Sequence, residues 1–117
     1  NKALLHMHKK LGFWLPVGGH IDRDELPHMA ALREAKEESG LDVELFNDEE
    51  LLEMGKDVLE LHRPRHILLE DINEFHQHID LIYYASSKCS ELLPEEGESG
   101  DIRWFSEDEL KELKKPE

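Results

Sequence analysis

The chain has 117 residues, of which 28 are Asp or Glu and 14 are Lys or Arg, so its net charge is −14. A surface of this sign repels nucleic-acid backbones and anionic membranes, and neither is an expected partner. The length predicts a single domain over residues 1–117, large enough for one modest core.

Two further features concern location. No apolar run approaches the ~20 residues that a membrane-spanning helix needs, and no signal peptide is visible. Cys89 is the only cysteine, which excludes an intramolecular disulfide and favours a cytoplasmic location. The first residue is Asn1 rather than Met, which leaves open that the true N-terminus is absent.

The first third of the chain predicts two strands and a helix. The strands lie at residues 3–8 and 13–15, and the second leads into the paired glycines Gly18 and Gly19. The helix follows. Pro27 suits its first position, where a missing N–H costs nothing, and Gly40 supplies the left-handed residue that stops it.

The middle of the chain is predicted to form mostly strands. Strands are predicted at residues 41–45, 65–69 and 79–85, the last being rich in β-forming side chains. Between the first two, the acidic residues 47–54 predict a short helix or turn, with Asn47 as its N-cap.

The last quarter begins with residues 93–100, whose Pro and Gly content predicts a loop. A short strand is expected at residues 102–105. Ser106 and Glu109 have the spacing of a capping box, which predicts a final helix through Lys114. The whole pattern predicts an α/β domain.

The predicted helix carries three carboxylates on one face. Glu34, Glu37 and Glu38 fall within about 100° of its circumference, where like charges repel by a few tenths of a kcal/mol per pair. Mg²⁺ prefers carboxylate and phosphate oxygens, so it would turn this cost into a binding site. A solvated acidic face is the plain alternative. The glycine pair and Arg33, spaced to hold Glu37 in an ion pair, favour the metal site.

These residues also form a longer pattern. Gly19, Glu25, Arg33, Glu34, Glu37, Glu38 and Gly40 stand at fixed spacing, with Ala35 and Leu41 at the apolar positions. The pattern resembles the Nudix box at every fixed position. Residues 15–19 and 101–105 resemble the family more loosely, and Val17 stands where the family often has proline.

The resemblance implies the Nudix fold, a mixed β-sheet between helices, with a further strand expected before Asn1. It implies hydrolysis of a diphosphate linkage in a nucleoside diphosphate joined to another group, dependent on Mg²⁺ or Mn²⁺. The metal set would be Glu34, Glu37 and Glu38 with the Gly18 carbonyl.

Other site residues follow from the same resemblance. Gly18, Gly19 and Arg33 would contact the substrate, and Glu25 is expected to orient the loop rather than to do chemistry. The general base stays open between Glu34 and an acid from the loop at 93–100. Glu96 is the first loop candidate and Glu98 the alternative.

Two other classes of function stay open. One is a non-catalytic Nudix domain that binds a nucleotide as a sensor, which has no need of all three carboxylates. The other is a histidine-based zinc module. His6 and His8 would share a strand face, as would His76 and His78, but no Cys pair accompanies them, so surface or packing roles are favoured. The sequence identifies neither the nucleotide nor the oligomeric state, and a homodimer is left open.

Overall fold

The computed structural model describes residues 1–8, 12–47, 49–52, 54–96 and 101–113. Within them lie seven strands and two helices. In chain order these are β1 (Ala3–His8), β2 (Phe13–Leu15), α1 (Pro27–Ser39), β3 (Glu44–Leu45), β4 (His66–Asn73), β5 (His76–Ile82), β6 (Ala85–Ser86), β7 (Ile102–Phe105) and α2 (Glu107–Lys111).

The strands of the described residues form three antiparallel sheets. In the largest, β1 lies between β2 and β7, while β3 pairs with β6 and β4 pairs with β5. His6 stands opposite Leu15 of β2 on one side and Ile102 of β7 on the other. This register places His6 beside the end of β2, from which the glycine loop begins.

Helix α1 begins and ends where the sequence predicts. Pro27 is its first residue, and Gly40 caps it with φ 78°, its N–H donating to the Lys36 carbonyl at 2.8 Å. Ser39 in the last turn is fully buried, and its hydroxyl donates to the Ala35 carbonyl. The buried residues of the helix include one of its acids, Glu38, while Glu34 and Glu37 stay partly exposed.

The buried apolar residues of the described chain are few. They are Ala30 and Ala35 of α1, Leu41 just after it and Phe105 of β7. The Phe105 ring meets Trp14 edge to face at 5.0 Å between centroids, an arrangement that aromatic pairs prefer. This contact joins β7 to β2 and steadies the strand that leads into the glycine loop.

The β4–β5 hairpin packs mainly on itself and carries many exposed apolar side chains. Ile67, Leu69 and Ile79 are about two-thirds exposed or more, and Phe75 at the turn is 91% exposed. The radius of gyration, 15.7 Å, exceeds the ~13 Å typical of a compact chain of this length. A hairpin extending from the domain is consistent with that excess.

Some predicted elements were wrong in extent or kind. The strand expected at 41–45 is only Glu44–Leu45, and the strand expected at 79–85 ends at Ile82, with Ala85–Ser86 forming a separate strand. No helix occurs in the described part of residues 47–54. Asn47 therefore caps no helix there, and its amide nitrogen lies 2.6 Å from His62 Nδ1.

The C-terminal helix α2 is shorter than predicted. Its capping box is confirmed, with Ser106 Oγ accepting from the Glu109 N–H and the Glu109 carboxylate accepting from the Ser106 N–H. The helix ends at Lys111, and Lys114 lies outside the described residues. Among the helices of the described residues, none has the length and apolarity to cross a membrane.

Candidate functional site

The glycine loop reaches the acidic face of α1 through close backbone approach. A methyl group on Gly19 would collide with the carboxylate of Glu34, so only glycine leaves room for this carboxylate. The neighbouring Gly18 N–H donates to Glu38 Oε1 at 3.3 Å. The loop therefore covers two of the three helix carboxylates with backbone rather than side chain.

Arg33 joins the loop to the helix carboxylates through its hydrogen bonds. Its Nε and Nη2 donate to the two Glu25 oxygens at 2.8 and 3.0 Å, the bidentate geometry that suits a guanidinium. Its Nη1 donates to Glu34 at 2.9 Å and Glu37 at 3.2 Å, and Nη2 also reaches the His20 carbonyl at 2.9 Å. One cation thus holds three carboxylates and the loop backbone in place.

Glu25 ties the loop to the helix. Besides Arg33, it accepts from the Asp22 N–H at 3.0 Å, and its own N–H donates to the Asp22 carbonyl at 3.1 Å. Hydrogen bonds from Arg33 and then from the Asp22 backbone lower the pKa of Glu25, while Glu25 and then Glu34 raise the pKa of Arg33. These contacts support the loop-orienting role that the sequence predicts for Glu25.

Glu38 is the most enclosed of the three helix acids, at 8% exposure. Its Oε1 accepts from Gly18, and its Oε2 lies 3.7 Å from His6 Nε2 on β1. The carboxylate is therefore fixed between the glycine loop and the central strand of the sheet. Burying a carboxylate is costly unless charges or hydrogen bonds compensate it, which marks Glu38 as a functional candidate.

The described part of the predicted loop at 93–100 runs along the end of α1. The Leu93 N–H donates to the Ser39 carbonyl at 2.8 Å, and the Glu95 N–H donates to the Glu37 carbonyl at 2.9 Å. A side chain on Gly40 would collide with the Leu93 carbonyl. These contacts bring the exposed Glu96 to the end of the helix that carries the acids, while Glu98 lies outside the described residues.

The carboxylates at this site are of the kind that binds a hard divalent cation. Glu34 and Glu37 each give one oxygen to Arg33, and among the described residues the second oxygen of each accepts no hydrogen bond. Oxygen ligands of this kind are those a hard cation prefers. The space beside Gly19, kept free of a side chain, lets the Glu34 carboxylate lie directly against the loop.

Sequence reasoning missed two contributors, His6 and His20. His6 approaches Glu38 from a strand that is remote in sequence, and His20 contributes its carbonyl to Arg33. The motif indicated neither residue. His20 acts through its backbone carbonyl, which any residue has, and the position of His6 depends on strand pairing, which is a property of the tertiary structure. Each side chain of the predicted helix set does lie in this one region, joined through Arg33 or the glycine loop.

Comparison with known proteins agrees with this geometry. The NUDIX domain family model matches residues 1–117. The chain belongs to the NUDIX family. A search of curated proteins finds no match. Among solved structures, a NUDIX family hydrolase from Clostridium perfringens is 42% identical, with a TM-score of 0.80, covering 95% of this chain and 77% of that one.

Membership confirms two expectations drawn from the sequence, the family and the fold. The family model matches residues 1–117, and the structural likeness to a NUDIX family hydrolase shows the α/β Nudix fold. As a NUDIX protein the chain has the fold of a hydrolase family that uses divalent cations and acts on nucleotide derivatives.

Proposed function

We propose that this NUDIX protein hydrolyses a diphosphate linkage in a nucleoside diphosphate joined to another group, with Mg²⁺ or Mn²⁺ as cofactor. The observation that carries the proposal is the enclosed carboxylate set of Glu34, Glu37 and Glu38, held by Arg33 and the glycine loop. A surface of net charge −14 would otherwise repel a polyanionic substrate.

The residues divide into ligands and positioning groups. Glu34, Glu37 and Glu38, with the Gly18 carbonyl, would hold the metal. A bound divalent ion supplies charge neutralisation at the phosphates and lowers the pKa of a water. Arg33, itself held by Glu25, fixes the carboxylates of Glu34 and Glu37 before substrate binds, so these side chains need little further ordering during the reaction.

Two residues compete for the role of general base. A base must lie within about 3 Å of the attacking water, directly or through one further water. Glu34 stands against the glycine loop, where one of its oxygens is hydrogen-bonded to Arg33. Glu96 is exposed at the end of α1 on a segment tied to the helix carbonyls, which supports a position beside the metal site. Gly19 would contact the substrate phosphates. The contact expected from the sequence for Arg33 is not proposed, because its five N–H groups are engaged by Glu25, Glu34, Glu37 and the His20 carbonyl.

A sensor without catalysis would bind the same nucleotides and leave them intact. The proposal is tested by incubating the protein and Mg²⁺ with a panel of nucleoside triphosphates, nucleotide sugars and dinucleotides, and identifying products by ³¹P NMR. Cleavage of one or more at a diphosphate linkage supports hydrolysis. Saturable binding across the panel without any product would overturn it in favour of the sensor.

A further inference from the structure

A second group of metal-ligating side chains lies on one face of the β4–β5 hairpin, outside the Nudix box. We call Glu70, His78 and Asp80 the hairpin cluster. Glu70 stands directly opposite His78, and Asp80 follows His78 by two residues on the same strand, so all three share a face. One ligand atom from each lies within 4.8 Å of the other two.

Two more histidines fix the ring of His78. Its Nε2 lies 2.8 Å from Nε2 of His76, and its ring meets the ring of His20 edge on, with centroids 5.5 Å apart. Its Nδ1 faces Glu70 Oε1 at 3.9 Å, too far for a direct hydrogen bond. Two ligands at ~2.0–2.2 Å from a tetrahedral Zn²⁺ lie roughly 3.3–3.6 Å apart, so the two side chains need to approach by only a few tenths of an ångström to share one ion.

The donor set indicates which class of metal fits. One imidazole nitrogen and two carboxylate oxygens suit Zn²⁺ and similar first-row ions, whereas Mg²⁺ favours oxygen ligands alone. We propose that the hairpin cluster binds one Zn²⁺-class ion, separate from the metal at the Nudix box. Three protein ligands leave a coordination position for water.

The position of the cluster suggests what the ion would do. His20, whose ring contacts His78, belongs to the box loop, and its carbonyl accepts from Arg33 at 2.9 Å. An ion on His78 would therefore fix the ring that packs against His20 of this loop. We assign the ion a structural role, because its ligands lie on the hairpin rather than on α1, which carries the box acids.

The test is Zn²⁺ binding to the full chain in excess Mg²⁺, measured by competition with a chromophoric indicator. Wild type should bind one Zn²⁺ per chain saturably. His78→Gln and Asp80→Asn should each weaken binding by on the order of 10–100-fold or more. His66→Gln and Asp71→Asn are matched controls on β4, the other strand of the same hairpin, and both should bind as wild type does.

The outcome of this Zn²⁺-binding test does not depend on whether the protein hydrolyses a nucleotide. A Glu34→Gln, Glu38→Gln double variant should keep the same stoichiometry and affinity for Zn²⁺, since the box acids are not ligands of this ion. In ¹⁵N spectra of wild type, Zn²⁺ should shift the His78 ring nitrogens and leave His66 unchanged. Absence of saturable binding, equal affinity in the cluster variants and controls, or loss of binding with the box acids would each overturn the inference.

Discussion

The carboxylate of Glu34 lies in the space that a side chain on Gly19 would take. The two residues are fifteen positions apart, one in the loop after β2 and the other on α1, so their contact fixes the loop to the helix. A methyl group at Gly19 has to push the carboxylate aside, because the collision is with the whole carboxylate group.

Gly19→Ala should therefore lower kcat by on the order of 100-fold, as expected when a reacting group is displaced by about 1 Å. Gly18→Ala is the matched control, since a methyl group there meets nothing within 4 Å and the backbone N–H to Glu38 remains. Steady-state kinetics and circular dichroism check the pair. Equal kcat for the two variants would show that Glu34 does not need its observed position.

Glu38→Gln keeps the shape of the side chain and the oxygen that accepts from Gly18, but it removes the charge. We expect a rate loss on the order of 10²–10⁴. Stability without metal should hold or rise, because repulsion with the other helix acids falls. Glu50→Gln removes the same charge from an exposed site and should leave the rate unchanged. A wild-type rate for Glu38→Gln would mean that the acidic face is only a solvated surface.

Arg33→Lys keeps the positive charge but cannot reproduce the forked contacts to Glu25, Glu34 and Glu37. We expect activity to fall roughly 10–100-fold, the cost typical of losing a group that orients metal ligands. Arg63→Lys is a control at a more exposed arginine with a 3.6 Å ion pair. Melting temperatures measured beside the kinetics separate loss of orientation from loss of fold.

The pKa of Glu25 is held below its ordinary value of 4.5 by Arg33 and the Asp22 backbone. Its contacts therefore add stability above that ordinary value, and this stability is lost as pH falls through the lowered pKa. Glu25→Gln should be less stable than wild type at pH 7, and the gap should close in acid. Urea unfolding at pH 7 and at about pH 3 measures it. If the difference in stability between wild type and Glu25→Gln persists in acid, protonation of Glu25 is not what lowers the stability of wild type there.

The role of Glu96 as general base is tested by comparing it with its neighbour Glu95. If Glu96 is the base, Glu96→Gln should lower kcat more than it raises KM, by about 10²–10⁴ in rate. Glu95→Gln should be nearly silent, because the contact that holds Glu95 to α1 uses its backbone N–H, which glutamine keeps. A silent Glu96→Gln with a large loss in Glu34→Gln would assign the base to the helix instead.

Much of the candidate site could be predicted because its signals are local. Pro27 and Gly40 mark the ends of α1 by their backbone chemistry, and the spacing of Glu34, Glu37 and Glu38 places them on one face of a helix. The short strands and the segment around Asn47 could not be predicted in the same way. Their extent depends on pairing and on contacts such as that with His62, which lies fifteen residues away.

The hairpin cluster could not be predicted from the sequence for the same reason. The sequence places His76 and His78 on one strand face, but the carboxylate of Glu70 reaches them only through the cross-strand register. Likewise, the approach of His6 to Glu38 follows from β1 lying in the middle of its sheet. Periodicity describes one element at a time and carries no information about which elements meet.

The central claim is that the box carboxylates act through a divalent ion, and the most direct measurement is turnover of a cleavable substrate with chelator and metal add-back. Hydrolysis should vanish in excess EDTA and return when Mg²⁺ or Mn²⁺ exceeds the chelator. The Glu34→Gln, Glu38→Gln double variant should stay inactive throughout, since too few ligands remain. Undiminished turnover in excess EDTA, or full activity in the double variant, would contradict the account.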